Sequence, residues 1–328
     1  MAKSNIVICI LIIFGTSCGT RSKEIPIVEL SILNSVDVIQ DSIFFNRIED
    51  IEYLDGEYYY LDGKSGLVNV ISEDFTFNRI LSKAGPGPEE VKSSANFSLY
   101  NGSLYILDNG SSSIKQYSTV DGDFIKSYKL PTIAISTDFS VANNTFYISD
   151  FRNQKPLLKY HSQDGKNEYF GRSREWSNKS FDVERHVLVD KKGSIIVVYQ
   201  SDIPTIELYS ESDKLVQTLD LSYLDVFTNS MIKYKEEVLP RRNTSMVVVK
   251  DVQLDDDNLY MLITSHNDEG KVSFNKILKC SVTNSAIKPE VIYALNSSGY
   301  YLSFSLGKNR LVAYNYSTQS LEEYSLDN

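Results

Sequence analysis

Cysteine is scarce in this 328-residue chain, and its three copies are poorly placed for disulfide chemistry. Cys9 lies in an apolar stretch near the start and Cys18 follows it closely, which leaves Cys280 alone in the body of the chain. That excludes a small scaffold stapled by disulfides. Cys280 itself, in the apolar run Ile277-Leu278-Lys279-Cys280, reads as a buried structural thiol. Histidine is as rare, with His161, His186 and His266 the whole supply. No His-Glu-x-x-His or Gly-x-Ser-x-Gly motif occurs, and Gly85-Pro86-Gly87-Pro88 is not a phosphate loop, because its prolines remove the N–H donors such a loop presents. Basic charge is in deficit, with 33 Lys and Arg against 43 Asp and Glu and a formal net charge of −10, which argues against a nucleic-acid partner. Long hydrophobic runs are missing too. The apolar stretch from Ile6 to Phe14 would rise about 14 Å as a helix, half of a bilayer's hydrocarbon core of about 30 Å.

A basic start at Lys3, that short apolar core and the small residues after it describe an export signal. The segment Gly15-Thr16-Ser17-Cys18 resembles the lipobox of bacterial lipoproteins, with Gly15 standing where Leu is usual. The resemblance implies a signal peptide over residues 1–17, a Cys18 that is acylated and heads the mature protein, and a tether over 18–24. A plain secretory signal with an incidental cysteine is the alternative. An acyl chain embeds at about 0.8 kcal/mol per buried methylene, so lipidated Cys18 would hold the protein to a membrane surface within the cell envelope.

From residue 25 to 328 the chain is organised by a repeat. Asp55-Gly-Glu-Tyr-Tyr-Tyr-Leu-Asp62 recurs as Asn101-Gly-Ser-Leu-Tyr-Ile-Leu-Asp108 and as Asn143-Asn-Thr-Phe-Tyr-Ile-Ser-Asp150, at spacings of 46 and 42 residues. Each copy is a turn and an alternating aromatic–aliphatic strand ending in a polar residue. A second strand follows, as in Ser113-Ile-Lys-Gln-Tyr117, then a turn such as Asp121-Gly122, then a closing strand such as Phe124-Ile-Lys-Ser-Tyr128. Divergent copies begin at Lys192-Gly193, Asp257-Asn258 and Ser298-Gly299, which makes six units. Four short antiparallel strands at a period of about 40–50 residues predict an all-β, six-bladed propeller of four-stranded blades. The early strand Ile25-Pro-Ile-Val-Glu-Leu30 is free to pair beside the last blade and close the ring.

The Leu-Tyr-Ile-Leu-Asp type of strand, the Ile-Lys-Gln-Tyr-Ser and Asp-Gly pair after it, and the connector Lys83-Ala-Gly-Pro-Gly-Pro-Glu-Glu90 resemble the six-bladed propeller lipoproteins of Bacteroidota, which are related to NHL-type propellers. The resemblance spans nearly all of the mature chain and implies fold and location rather than chemistry.

In such a blade the turn from second to third strand and the connection to the next blade lie at one end, and a binding site is expected there. The candidates are Arg172, Arg174 and Trp176, joined by Arg241, Arg242 and His266. Guanidinium groups beside an indole suit an anionic or carboxylate-bearing ligand, or an envelope protein that carries one. Packing of Trp176 between blades is the competing reading. Asp62, Asp108 and Asp150 are expected to cap turns rather than ring a metal, and Asp255-Asp-Asp257 to be a solvated turn. No metal or cofactor is expected. A helix is predicted over Ser230–Val238 within the long connection from Tyr223 to Asn243, as a lid or as a surface excursion packed on its own blade. The expected function is that of a membrane-anchored binding or interaction module. The alternative is a hydrolase or lyase of the lactonase kind, metal-dependent, with ligands from inner strands.

Overall fold

The computed structural model describes residues 25–39, 43–131, 138–150, 153–172, 184–201, 203–238, 246–267 and 270–326. Within them lie six radial antiparallel sheets, the six blades of a propeller. Blade one runs from Ile48 to Ile80, blade two from Ser94 to Lys129, blade three from Phe139 to Phe170, and blade four from Arg185 to Asp220. Blade five runs from Val249 to Ala294, and blade six starts at Tyr301 and ends at Ser325. The first strand of each is innermost.

Local chemistry fixes the hairpins. Asp55 and Gly56 (φ 51° and 89°), Asn101 and Gly102 (49° and 68°), and Asn143 and Asn144 (49° and 58°) all adopt left-handed backbone at the turn into the second strand. Two successive positive φ values twist a tight turn the way the strands twist, and Asp, Asn and Gly adopt them at least cost. The second strands that follow are the most buried, with Ser103–Asp108 and Thr145–Ser149 buried throughout. Because such strands lie between neighbouring blades, core clusters span blade interfaces. Ile106 and Leu104 pack with Tyr59, Leu61, Val70 and Phe97 across the first such junction. Truncating a side chain like Ile106 to alanine costs about 2–5 kcal/mol through lost burial and the cavity it leaves.

The ring closes differently from the sequence expectation. Ile27–Glu29 does not sit beside the last blade; it pairs in parallel with Ile292–Ala294, as a fifth strand on the outer edge of blade five. The next segment, Ile32–Val36, closes the ring by pairing antiparallel with Leu321–Tyr324 as the outer strand of blade six. Leu30 is the pivot between them, its N–H bonded to the Ala294 carbonyl at 2.9 Å and its side chain buried with Tyr301 and Tyr324. Both segments have strand character, and the buried Leu30 sits where the chain passes from one partner to the other.

Helix α1 (Asp225–Lys233) begins earlier than predicted and continues as a π-helical turn over Tyr234–Val238. Leu221, Leu224 and Phe227 recur at three-residue spacing, and all three bury in the core shared by blades four and five. The insertion therefore packs on its own blades.

Candidate functional site

The connection face carries two of the expected site residues. Arg172 is exposed just past the outer strand of blade three, and its backbone N–H donates to the Tyr209 hydroxyl of blade four at 3.0 Å. His266 ends the second strand of blade five, at the same end of the ring. Arg174, Trp176, Arg241, Arg242 and Cys18 lie outside the described residues.

Two of the repeated aspartates, Asp62 and Asp108, cap turns as expected, whereas the Asp150 carboxylate accepts the Tyr169 hydroxyl at 3.3 Å. Asp62 accepts the N–H groups of Lys64 at 2.8 Å and Ser65 at 2.7 Å. Asp108 accepts those of Ser93 at 2.9 Å and Gly110 at 3.1 Å, plus the Ser111 hydroxyl at 2.6 Å, and faces Lys115 Nζ at 3.4 Å. Those donors hold the Asp108 carboxyl below its ordinary range against the opposing effect of burial. The Asp255–Asp257 run is an exposed turn tied to blade four, with Lys191 paired to Asp256 and Lys192 to Asp257 at 2.7 Å.

A larger group of ionisable residues lies elsewhere, around a concavity down the axis. A cavity of about 500 Å³ runs between the inner strands of blades one to five and reaches the turns at the end opposite the blade connections. Asp50 and Glu52, Ser140 and Ala142, His186 and Leu188, and Asp251 and Gln253 line it from the inner strands of blades one, three, four and five. Tyr100, Asn143, Asp190, Lys191 and Asp256 form the rim.

Blade six does not line it. Gln253 of blade five donates to the Ile51 carbonyl of blade one at 3.3 Å, and the Ser303 hydroxyl of blade six donates to the Ile48 carbonyl at 3.4 Å. The ring is thus drawn in at that point and opens toward blades two to four.

The deep end of the cavity gathers ionisable groups. His186 Nδ1 lies 2.8 Å from Asp138 Oδ2, and both side chains are 9% exposed. A carboxylate acceptor at that distance places a proton on Nδ1. The buried Nε2 has no hydrogen-bond partner. Asp251 accepts the N–H groups of Val252 at 2.8 Å and Phe304 at 2.9 Å, and Glu52 accepts that of Leu99 at 3.1 Å. Burial raises all three remaining carboxyls. It pushes Glu52 up to about 8, with the Leu99 N–H opposing and Asp138 and Asp251 adding to it. Asp251 rises to about 6, with His186 opposing. Asp50 is held well above the carboxylate range by burial and then by the neighbouring charges of Asp251, Glu52 and Asp138. Among the described residues, no three His, Cys, Asp or Glu side chains converge as a metal-ligand set.

Sequence reasoning missed this cluster because the recognisable repeat begins at the turn after each inner strand. Acidic or histidine residues inside strands, Asp50 and Glu52 in Ile48–Leu54 and His186 in Arg185–Val189, were the available signal.

The whole six-bladed ring matches one family, the DUF5128 family described as a 6-bladed beta-propeller, over residues 30–324. The chain belongs to that family. No curated protein matches this DUF5128 propeller. Solved structures share its fold at low identity. A DUF4221 member from Bacteroides vulgatus ATCC 8482 is 9% identical with a TM-score of 0.63, over 93% of this chain and 98% of its own. A candidate exported protein from Bacteroides fragilis NCTC 9343 is 12% identical with a TM-score of 0.59, over 90% and 94%. A streptogramin B lyase is 13% identical with a TM-score of 0.51, over 90% and 97%. Identities this low speak for the fold alone.

Proposed function

We propose that this DUF5128 propeller is an exported, Cys18-anchored envelope lipoprotein that binds a small ligand in its axial cavity. The cavity carries the reading: about 500 Å³ is the size of a small-molecule site, and its deep end collects ionisable side chains that a purely structural channel has no need to bury. The inner strands of four blades hold those groups in register. The basic start, apolar core and Cys18 segment support export and anchoring, and the similar Bacteroides fragilis protein described as exported supports export.

Recovery of the native ligand tests the proposal. Ser140 is half-buried on the cavity wall, so Ser140→Trp places an indole in the space, with an unchanged melting transition as the control for folding. Mass spectrometry of small molecules released from envelope-purified protein is expected to show a compound with the wild type that is absent from the Ser140→Trp variant. Identical extracts from both would remove the cavity as the binding site.

The Asp138–His186 pair supports a second reading, a lyase or hydrolase in which Nε2 acts as general base. A compound recovered chemically altered after incubation with the wild type, and unaltered with His186→Gln, distinguishes that reading from simple binding.

A further inference from the structure

We infer that the cavity ligand is an organic cation, an alkylammonium group whose head sits among Asp50, Glu52, Asp138 and Asp251 and whose apolar body lies along the wall toward the mouth. The inference rests on the cavity being the ligand site and names the chemistry of what enters it.

Charge balance gives the first argument. Four carboxyls share the deep end, and a buried carboxylate requires a counter-charge, hydrogen bonds or a proton. Backbone N–H groups supply part of this to Glu52 and Asp251, and His186 supplies it to Asp138. Among the described lining residues, the one Lys or Arg is Lys191, and it is tied to Asp256 at the rim. Among the described residues no cation serves Asp50 and Glu52, which meet the requirement by holding protons, and a ligand with an ammonium head takes the place of those protons.

His186 gives an independent argument. Its side chain is nine-tenths buried at the same end of the cavity, its Nδ1 faces Asp138, and its Nε2 has no partner. In the neutral ring with its proton on Nδ1, Nε2 is an acceptor, and a donor such as an ammonium N–H satisfies it. A chelated metal ion fits less well, because it needs its ligand atoms within about 2.6 Å of one point and no such set converges among the described residues. Ammonium N–H bonds reach separate acceptors at about 3 Å.

The wall fixes the rest of the ligand. Leu99, Ala142, Leu188 and Leu254 are half-buried, pack in part on the interblade cores, and also line the cavity between the acidic end and the rim. Acid below and aliphatic surface above match an alkyl chain entering head first.

Isothermal titration of the full-length protein in detergent, with hexylammonium, 1-hexanol and hexanoate as probes of equal length, tests the head-group charge directly. Hexylammonium is expected to bind at least tenfold more tightly than hexanol, with hexanoate weakest. The preference is expected to collapse in Asp50→Asn/Glu52→Gln, with hexanol affinity unchanged and the melting transition retained. Hexanol or hexanoate binding as tightly as hexylammonium overturns the inference, as does a preference that survives in the double variant. Hexanol binding that is lost in Ser140→Trp would keep the cavity as the ligand site while removing the cation. Failure of all three probes in both proteins counts against the cation and the cavity together.

Discussion

Gln253 on the inner strand of blade five reaches past blade six to the Ile51 carbonyl on blade one, at 3.3 Å. Two blades that are not sequence neighbours in the ring thereby share a hydrogen bond, and the channel is lined by five blades instead of six. Removing the amide leaves the carbonyl without that donor. Gln253→Ala is expected to cost about 1 kcal/mol by chemical denaturation. An unchanged midpoint would show that the bond is incidental to the shape of the ring.

The raised carboxyls set a pH dependence. Glu52 and Asp251 hold protons in the folded protein at about 8 and about 6, whereas unfolded carboxyls titrate near 4. Between those limits the folded state binds more protons than the unfolded one, so their contribution to stability is full in acid and is lost as pH rises toward about 8. Urea midpoints should fall from pH 5 to pH 8, and Glu52→Gln should flatten the slope. A rising midpoint in the wild type over that range contradicts the assignment.

The Asp138–His186 contact should be measurable as a coupling. Removing one partner leaves the other buried without it, so His186→Leu or Asp138→Asn alone is expected to cost about 3 kcal/mol, and the double variant less than the two costs added. A double-mutant cycle giving near-zero coupling would mean that the two side chains are neighbours without interacting.

Anchoring is tested by fractionation. Cys18→Ala is expected to move the protein from the membrane to the soluble fraction and to abolish incorporation of labelled fatty acid. Retention of both behaviours in the variant would falsify lipidation at Cys18.

A stability control separates site from core. Glu52 is half-buried at the cavity, whereas Ile106 is fully buried between blades. Ile106→Ala should lower stability by about 2–5 kcal/mol and leave ligand preference unchanged once folded, the reverse of the pattern expected for Asp50→Asn/Glu52→Gln.

The sequence alone determined the repeating half of this protein. Asp55-Gly56, Asn101-Gly102 and Asn143-Asn144 specify tight hairpins because few residues adopt positive φ cheaply, and the alternating strands after them specify burial between blades. Blade number and strand order follow from local rules of that kind, as do the caps at Asp62 and Asp108, whose donors lie within a few residues or in the adjoining connection. Tertiary structure decided what depends on distant partners. Ile27–Glu29 and Ile32–Val36 carry equivalent strand signals, yet one pairs on blade five and the other on blade six, with Leu30 seated against Ala294, Tyr301 and Tyr324 where the chain passes between them. The axial cluster is a product of the ring in the same way. Asp50, Asp138, His186 and Asp251 are separated by tens of residues and belong to four different blades, and an isolated charged residue on a strand carries no sign of which others closure will bring beside it.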